Sequence, residues 1–185
     1  MDKFIFKKSN IEGLYEIEPK VFADKRGFFL ETYNYKYFAK AGLDMKFVQD
    51  NQSSSKRGVL RGLHFQTKNP QGKLVRVIKG EVFDVAVDMR KGSKTFGQWH
   101  GVLLSSEKKN MFYIPEGFAH GFLVISEETE FIYKCTDYYY PEYESGVIWN
   151  DETISINWPI PRDMEIILSD KDKQLSKFND LKECL

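Results

Sequence analysis

The sequence predicts an all-β domain, either a barrel or a sandwich. Short apolar runs are separated by turn residues, and helical signals are few. The 185 residues are enough for one hydrophobic core, whereas typical domains of roughly 100–150 residues leave little room for two. We therefore expect a single domain over residues 1–185. The expected strands are Leu74–Val77, Val82–Val87, Gly101–Leu104, Met111–Ile114, Phe122–Ile125 and Glu130–Cys135.

The remaining elements follow from capping and alternation. Asn34 predicts the start of a short helix that ends near Gly42, and Ser169 predicts the start of a second one. Residues 43–58 and 136–165 are polar and are expected to be irregular. Within residues 82–88, Asp84, Ala86 and Asp88 share one strand face, which predicts a face toward a polar cavity or toward water.

Composition excludes several functional classes. The 27 basic and 27 acidic residues cancel, and the basic stripe typical of a nucleic-acid-binding protein is missing from the sequence. The N-terminal ten residues do not resemble a signal peptide, and no apolar run approaches the ~18 residues of a membrane span. Cys135 and Cys184 form no close pairing pattern, which favours a reduced, cytoplasmic protein without a disulfide framework.

Two of the three histidines lie in glycine-rich stretches, Gly58–Gln66 and Ile114–Phe122. With a glycine before His64 and with Pro115, Gly117 and His120 in the second stretch, they resemble the two signature motifs of the cupin superfamily of small jelly-roll barrels. We therefore expect a cupin-type jelly-roll β-barrel with a few short helices.

The first stretch departs from the metal-binding form of that motif. Gln66 stands where a second histidine is usual, and Pro70 and Gln71 stand where a glutamate is usual. Two imidazoles and an amide make a poor site for a divalent metal, so we expect no metal and a His64 free to act as an acid or base. A lone strand histidine is more often structural, and His120 could equally belong to the core or bind a ligand.

Ordered blocks along the chain resemble one family, the dTDP-4-dehydrorhamnose 3,5-epimerases. The resemblance runs from about residue 14 to residue 172, nearly the whole chain. It is carried by Arg26–Phe29, Phe47–Asn51, Arg61–Gln66, Gly80–Asp88, Pro115–Gly121 and Leu168–Asp172.

The resemblance implies a cofactor-free isomerase of dTDP-L-rhamnose synthesis that acts, as a homodimer, on dTDP-4-dehydro-6-deoxy-D-glucose. It assigns His64 as the base, Tyr133 as the proton donor on the opposite face of the sugar, Asp172 as the partner of the base, and Lys73 as the cation beside the keto oxygen. The residues that would contact the nucleotide sugar or shape its pocket are Arg26, Glu31, Gln49, Asp50, Asn51, Arg61, Lys73, His120, Glu144 and Lys171.

Residue-level reasoning supports these roles unequally. Histidine has a pKa near working pH, and a lysine ammonium can stabilise an enolate. Alternation within residues 131–135 places Tyr133 on one strand face, but tyrosines are common in strands. The spacing Ser169-x-x-Asp172 resembles a capping box, so Asp172 alone is better read as a helix cap.

Basic and aromatic side chains suggest how a nucleotide would be held. Arg26, Arg61 and Lys73 could neutralise a pyrophosphate or could be ordinary surface charges. Tyr138, Tyr139 and Trp149 are candidates for stacking on thymine or for lining the sugar pocket.

Three alternatives remain open. One is a mono-epimerase of C3 or C5, or a ketoisomerase, within the same family. The second is a metal-dependent cupin oxygenase, and the third is a non-catalytic sugar-nucleotide binder. The N-terminal strands have edges that need covering, which favours a dimer interface there.

Overall fold

The computed structural model describes residues 3–181, so Cys184 lies outside the described residues. Thirteen strands and a few short helical segments follow in chain order. They are β1 (Phe4–Lys8), β2 (Tyr15–Pro19), β3 (Phe22–Asp24), β4 (Gly27–Phe29), α1 (Tyr35–Lys40), β5 (Gln49–Lys56), β6 (Leu60–Gln66), β7 (Lys73–Lys79), β8 (Glu81–Asp88), β9 (Trp99–Ser105), β10 (Met111–Ile114), β11 (Phe118–Val124), β12 (Glu128–Cys135), a 3₁₀ turn (Pro141–Tyr143), β13 (Glu144–Gly146), α2 (Asp170–Lys173) and α3 (Phe178–Leu181).

Two antiparallel sheets form the barrel. The six-stranded sheet has the order β1-β2-β10-β7-β12-β5, and the five-stranded sheet has the order β13-β6-β11-β8-β9. A core between them draws on both sheets, because Val75 and Phe131 from the first pack with Ala86 and Phe122 from the second. The predicted all-β barrel is therefore confirmed, and the six predicted strands correspond to β7 through β12.

Two further clusters cover the outer faces of the sheets. Trp158 and Phe178, from the C-terminal third of the chain, pack against Leu63 and Val85 behind the five-stranded sheet. Phe38 of α1 packs with Phe4 and Tyr113 against the six-stranded sheet. Asn34 caps α1 by accepting a hydrogen bond from the Lys36 amide, and Ser169 caps α2, so both helix starts are confirmed.

The expectation that residues 43–58 are irregular is wrong, because β5 pairs with β12 over eight residues. Its Gln-Asp-Asn-Gln-Ser-Ser-Ser-Lys sequence has no apolar face, although alternate residues are half-buried. Sequence patterning missed β5 because its inward face meets a polar cleft rather than the core. In residues 136–165, also expected to be irregular, β13 pairs with β6.

Asp84 and Asp88 do not face water, because both are fully buried. Asp88 ends β8 and accepts hydrogen bonds from the Arg90 guanidinium and from the Ser93 and Thr95 hydroxyls. Burial alone would raise the pKa of Asp88, but these donors outweigh it and hold the pKa at about 2.

None of the helices within residues 3–181 has the length and apolar character of a membrane span.

Asp88→Asn should lower the free energy of unfolding by about 2 kcal/mol near neutral pH, since the folded-state pKa of Asp88 lies below its unfolded value of 3.8. A lowered carboxyl pKa stabilises the fold above pH ~4, and this contribution fades as the pH falls toward about 2. Urea unfolding of both proteins between pH 7 and pH ~2.5 should therefore show a difference that shrinks below pH ~4. Asp170→Asn, at an exposed side chain, is the control; a pH-independent difference for Asp88→Asn would contradict the account.

Candidate active site

A β-bulge in β6 turns the side chains of Arg61 and His64 toward one cleft. His120 of β11 pairs with His64, and Phe122 pairs with Arg61, so three steps along β6 match two along β11. The extra residue breaks the strict alternation of a strand, and side chains three apart can then point the same way. Gly62 lies in the bulge with φ +101°, a conformation that L side chains rarely adopt.

The main cleft lies between the two sheets and has a volume of about 600 Å³. His64 and His120 reach it from the five-stranded sheet, and Lys73 and Tyr133 reach it from the six-stranded sheet. The segment leading into α2 closes one side. Other predicted site residues that line this cleft are Asn51, Arg61, Lys171 and Asp172.

A small cavity of about 90 Å³ adjoins the main cleft and shares His64, Lys73 and Tyr133 with it. Its other polar lining residues are Gln66, Gln71, Tyr139 and Glu144. Glu144 is held by the Tyr139 hydroxyl and by the Lys171 ammonium.

His64 is held by a buried carboxylate. Its Nε2 lies 2.6 Å from Asp172 Oδ1, and Asp172 Oδ2 accepts a hydrogen bond of 2.8 Å from the Ser169 hydroxyl. The Ser169 hydroxyl also accepts from the Asp172 amide at 3.1 Å. Ser169 therefore caps the helix, while the Asp172 side chain reaches His64. Burial would raise the pKa of Asp172, but hydrogen bonds from His64 and Ser169 lower it overall.

Burial also shifts the pKa values of Lys73 and Tyr133. It lowers the pKa of Lys73, against the opposing influence of Cys135, Asp84 and Glu144. It raises the pKa of the Tyr133 phenol, which therefore keeps its proton. The site thus combines a histidine held by a carboxylate, a protonated phenol on the facing sheet, and the Lys73 amine, whose charged form burial disfavours.

His120 has a carboxylate partner of its own. Its Nε2 lies 2.9 Å and 3.0 Å from the two carboxylate oxygens of Asp84. Burial raises the pKa of Asp84 and lowers that of His120, so both are driven toward their neutral forms. The contact between Asp84 and His120 was not predicted from the sequence; its signal there is an acid flanked by apolar residues in the middle of β8.

Gln66, which stands where a metal-binding cupin usually has its second histidine, forms hydrogen bonds with the backbone. The Gln66 side-chain amide donates to the backbone carbonyls of Asn69 and Tyr138 and accepts from the Tyr140 amide. It therefore fixes the chain after β12. Among residues 3–181, no group of three or more His, Cys, Asp or Glu side chains is placed to hold a metal ion.

Several predicted binding residues lie away from the main cleft. At the margin of the main cleft, the Gln49 side chain donates a hydrogen bond to Asn51 Oδ1 and accepts one from the Tyr139 backbone amide. Asp50 points from the other face of β5 and pairs with Lys134 at 2.9 Å. Arg26 pairs with Asp24 in the exposed β3–β4 hairpin, and Glu31 pairs with Lys3. Within one chain, Asp50, Arg26 and Glu31 therefore lie away from His64.

The aromatic candidates also separate. Tyr139 lines the small cavity, and Tyr138 is exposed nearby. Trp149 packs against the core behind the five-stranded sheet, and its carbonyl accepts a hydrogen bond from Trp158.

A double-sheet barrel whose interior holds a histidine–carboxylate pair opposite a tyrosine has the design of a proton-transfer enzyme. Comparison with known proteins agrees: residues 8–180 match the model of the dTDP-4-dehydrorhamnose 3,5-epimerase family. The chain belongs to this family, and it is an isomerase of the epimerase class.

Individual relatives match over most of their length. A dTDP-4-dehydrorhamnose 3,5-epimerase from Methanothermobacter thermautotrophicus is 56% identical over 173 residues, 94% of each chain. One from Pseudomonas aeruginosa is 57% identical over 88% of this chain and 90% of its own. The crystal structure of a Legionella pneumophila dTDP-6-deoxy-D-glucose-3,5-epimerase with dTDP-4-keto-L-rhamnose superposes with a TM-score of 0.92 at 50% identity, covering 95% of this chain and 93% of that one.

Gly62→Ala should destabilise the fold and displace His64, because the new Cβ would lie 2.5 Å from the His120 carbonyl oxygen. Backbone strain alone should cost about 1–3 kcal/mol. Gly92→Ala is the control, since Gly92 also has a positive φ but the described part of the chain places no atom within 4 Å of the added Cβ. Urea unfolding should show the larger loss for Gly62→Ala; equal losses would remove the close approach of β6 and β11 from the explanation.

Proposed function

We propose that this chain inverts C3 and C5 of dTDP-4-dehydro-6-deoxy-D-glucose and yields dTDP-4-dehydro-L-rhamnose, in the biosynthesis of dTDP-L-rhamnose. The observation that carries the proposal is the placement of His64 and Tyr133 on facing sheets of one cleft, with Lys73 beside both. Inversion requires a proton to leave one face of a carbon and another to arrive on the opposite face.

His64 acts as the base through Nδ1. Its Nε2 is engaged by Asp172, which fixes the tautomer and stabilises the imidazolium once the proton has been taken. A histidine base also has its intrinsic pKa near working pH, where general-base catalysis is most effective.

Lys73 stabilises the enolate. A proton α to a ketone leaves only when the developing oxyanion is stabilised. Burial lowers the pKa of Lys73, but a negative oxyanion beside it would favour the ammonium, which then acts with little screening by water. Removing one such preorganised group typically costs on the order of 10²–10³ in rate.

Tyr133 donates the second proton. Burial raises the pKa of its phenol, so the group is protonated when the enolate forms. The phenol also lies close enough to Arg61 for the guanidinium to oppose that rise. This positive charge would help to stabilise the phenolate left after donation.

The nucleotide would occupy the polar end of the main cleft. Arg61, whose Nε and Nη2 bond Ser55 Oγ at 3.2 Å and 3.1 Å, and Lys171 carry the positive charge suited to a diphosphate. Asn51 and His120 add neutral hydrogen-bonding groups. We also infer a reducing, cytoplasmic setting, consistent with the free thiol of Cys135.

The β3–β4 hairpin supports a homodimer. Phe22, Phe28 and Phe29 expose 46%, 60% and 65% of their surface, which is unusual for large apolar side chains clustered on one hairpin. On the outer face of the six-stranded sheet, the buried Arg76 Nε has no hydrogen-bond partner among residues 3–181. We infer that a second copy covers this region and that Arg26 and Glu31 complete the partner's site.

Incubation with dTDP-4-dehydro-6-deoxy-D-glucose in deuterium oxide, followed by NMR, tests the reaction. Deuterium should enter at both C3 and C5. Exchange at C3 alone would favour a mono-epimerase, and a product with a moved ketone would favour a ketoisomerase. No exchange at either carbon would refute the epimerase and leave a non-catalytic binder; turnover that needs stoichiometric iron or manganese would revive the oxygenase.

Variants in the same assay test the assigned roles. His64→Ala should abolish exchange, whereas His100→Ala removes a half-buried imidazole that lines neither cavity and should retain it. Tyr133→Phe should retain part of the C–H exchange while losing inversion at C5. Unchanged product formation by Tyr133→Phe would remove Tyr133 from the mechanism.

Light scattering tests the dimer, for which we expect twice the chain mass of 21.7 kDa. Replacing Phe28 and Phe29 together by Asp should give a monomer with weakened nucleotide-sugar binding, because the hairpin could no longer bury its apolar face. Asn157→Asp, at an exposed residue of the C-terminal segment that packs behind the five-stranded sheet, is the control for added charge. A monomeric parent protein would contradict the inference.

A further inference from the structure

Two inversions within one binding event require a proton to return from the base to the acid between them, whereas a single inversion does not. In each inversion a C–H bond breaks, its proton goes to His64, and the electron pair forms the enolate. The Tyr133 O–H bond then breaks as a new C–H bond forms on the other face. Afterwards His64 carries an extra proton and Tyr133 lacks one, so the second inversion waits until one proton has returned.

A carboxylate lies beside the nitrogen that receives the substrate proton. Asp172 engages Nε2, and Glu144 Oε1 lies 4.0 Å from Nδ1. This distance exceeds a direct hydrogen bond but suits a bridging water. Strand pairing fixes the arrangement, because Glu144 pairs with Gln66 and Gly146 pairs with His64 between β13 and β6.

The other oxygen of Glu144 is anchored. The Tyr139 hydroxyl and the Lys171 ammonium both bond Oε2, which leaves Oε1 toward His64. Although burial would raise the pKa of Glu144, Lys171, Tyr139 and His64 lower it overall, so the group is an ionised acceptor at neutral pH.

The small cavity joins both ends of the required path. Its walls include His64, Glu144 and Tyr133, and its volume of about 90 Å³ is enough for more than one water molecule.

We propose that Glu144 returns the proton from His64 to Tyr133 through the small cavity, and so allows two inversions in one binding event. This rests on the proposed function of the main cleft. The proton leaves His64 Nδ1 for the Glu144 carboxylate and passes through water in the small cavity to the Tyr133 phenolate. Neutral His64 and protonated Tyr133 are restored, and no other reactant is consumed.

Single-turnover kinetics with enzyme in excess test the relay. In Glu144→Gln the first inversion should keep its rate constant within about threefold, while the second slows at least about tenfold. Singly inverted sugar should therefore accumulate, whereas the parent enzyme accumulates little. A residue that only shapes the pocket would slow both inversions by the same factor, so equal slowing, or no slowing, would overturn the relay.

Two further variants strengthen the test. Glu142→Gln removes an exposed charge from the same segment, lines neither cavity and should behave like the parent. Glu144→Ala should recover its second inversion when formate is added, because formate can supply the missing carboxylate; failure of rescue together with equal slowing counts against the relay. If the parent enzyme gives no inversion at all, the proposed function fails rather than the relay alone.

Discussion

The site depends on the hydrogen bond between His64 Nε2 and Asp172. The two residues are 108 positions apart, and the bond joins α2 to the wall of the barrel. Asp172 is 3% exposed, and a buried carboxylate is tolerated only when its charge is paired and hydrogen-bonded. Ser169 and the backbone at Gly62 supply further bonds. The same interaction therefore anchors the C-terminal segment and orients the His64 ring.

The two sheets divide the chemistry between them. The five-stranded sheet carries His64 and His120, each with its own carboxylate, and the six-stranded sheet carries Lys73 and Tyr133. Burial lowers the pKa of Lys73 and raises that of Tyr133. These shifts arise because the strands hold ionisable groups out of bulk water. In this low-dielectric setting the groups interact more strongly with charge on a substrate than they would in water.

Sequence patterning predicted the barrel because its core strands, such as β8 and β10, are apolar where they face the core. It failed at β5, whose inward side chains are polar because they meet the cleft. It also favoured a helix cap for Asp172, since Ser169-x-x-Asp172 fits that pattern. The structure shows that the cap is made by Ser169 and that the Asp172 carboxylate reaches another element.

Other features lie beyond sequence patterning because they depend on contacts between distant strands. The bulge at Gly62 is visible only when β6 is aligned with β11. The approach of Glu144 to His64 requires the pairing of β13 with β6. Arg26 and Glu31 were assigned to the site by resemblance, yet they lie on a hairpin and an adjoining segment that do not reach the cleft of their own chain.

We infer that Asp172 fixes His64 with a proton on Nε2 and leaves Nδ1 free to act as the base. Nitrogen-15 NMR of the labelled protein at neutral pH tests it directly, because the two tautomers give distinct patterns of ring correlations. With only three histidines in the chain, His64→Ala identifies the resonances. We expect a proton on Nε2 and none on Nδ1 in the neutral imidazole. A neutral His64 protonated on Nδ1 would contradict it.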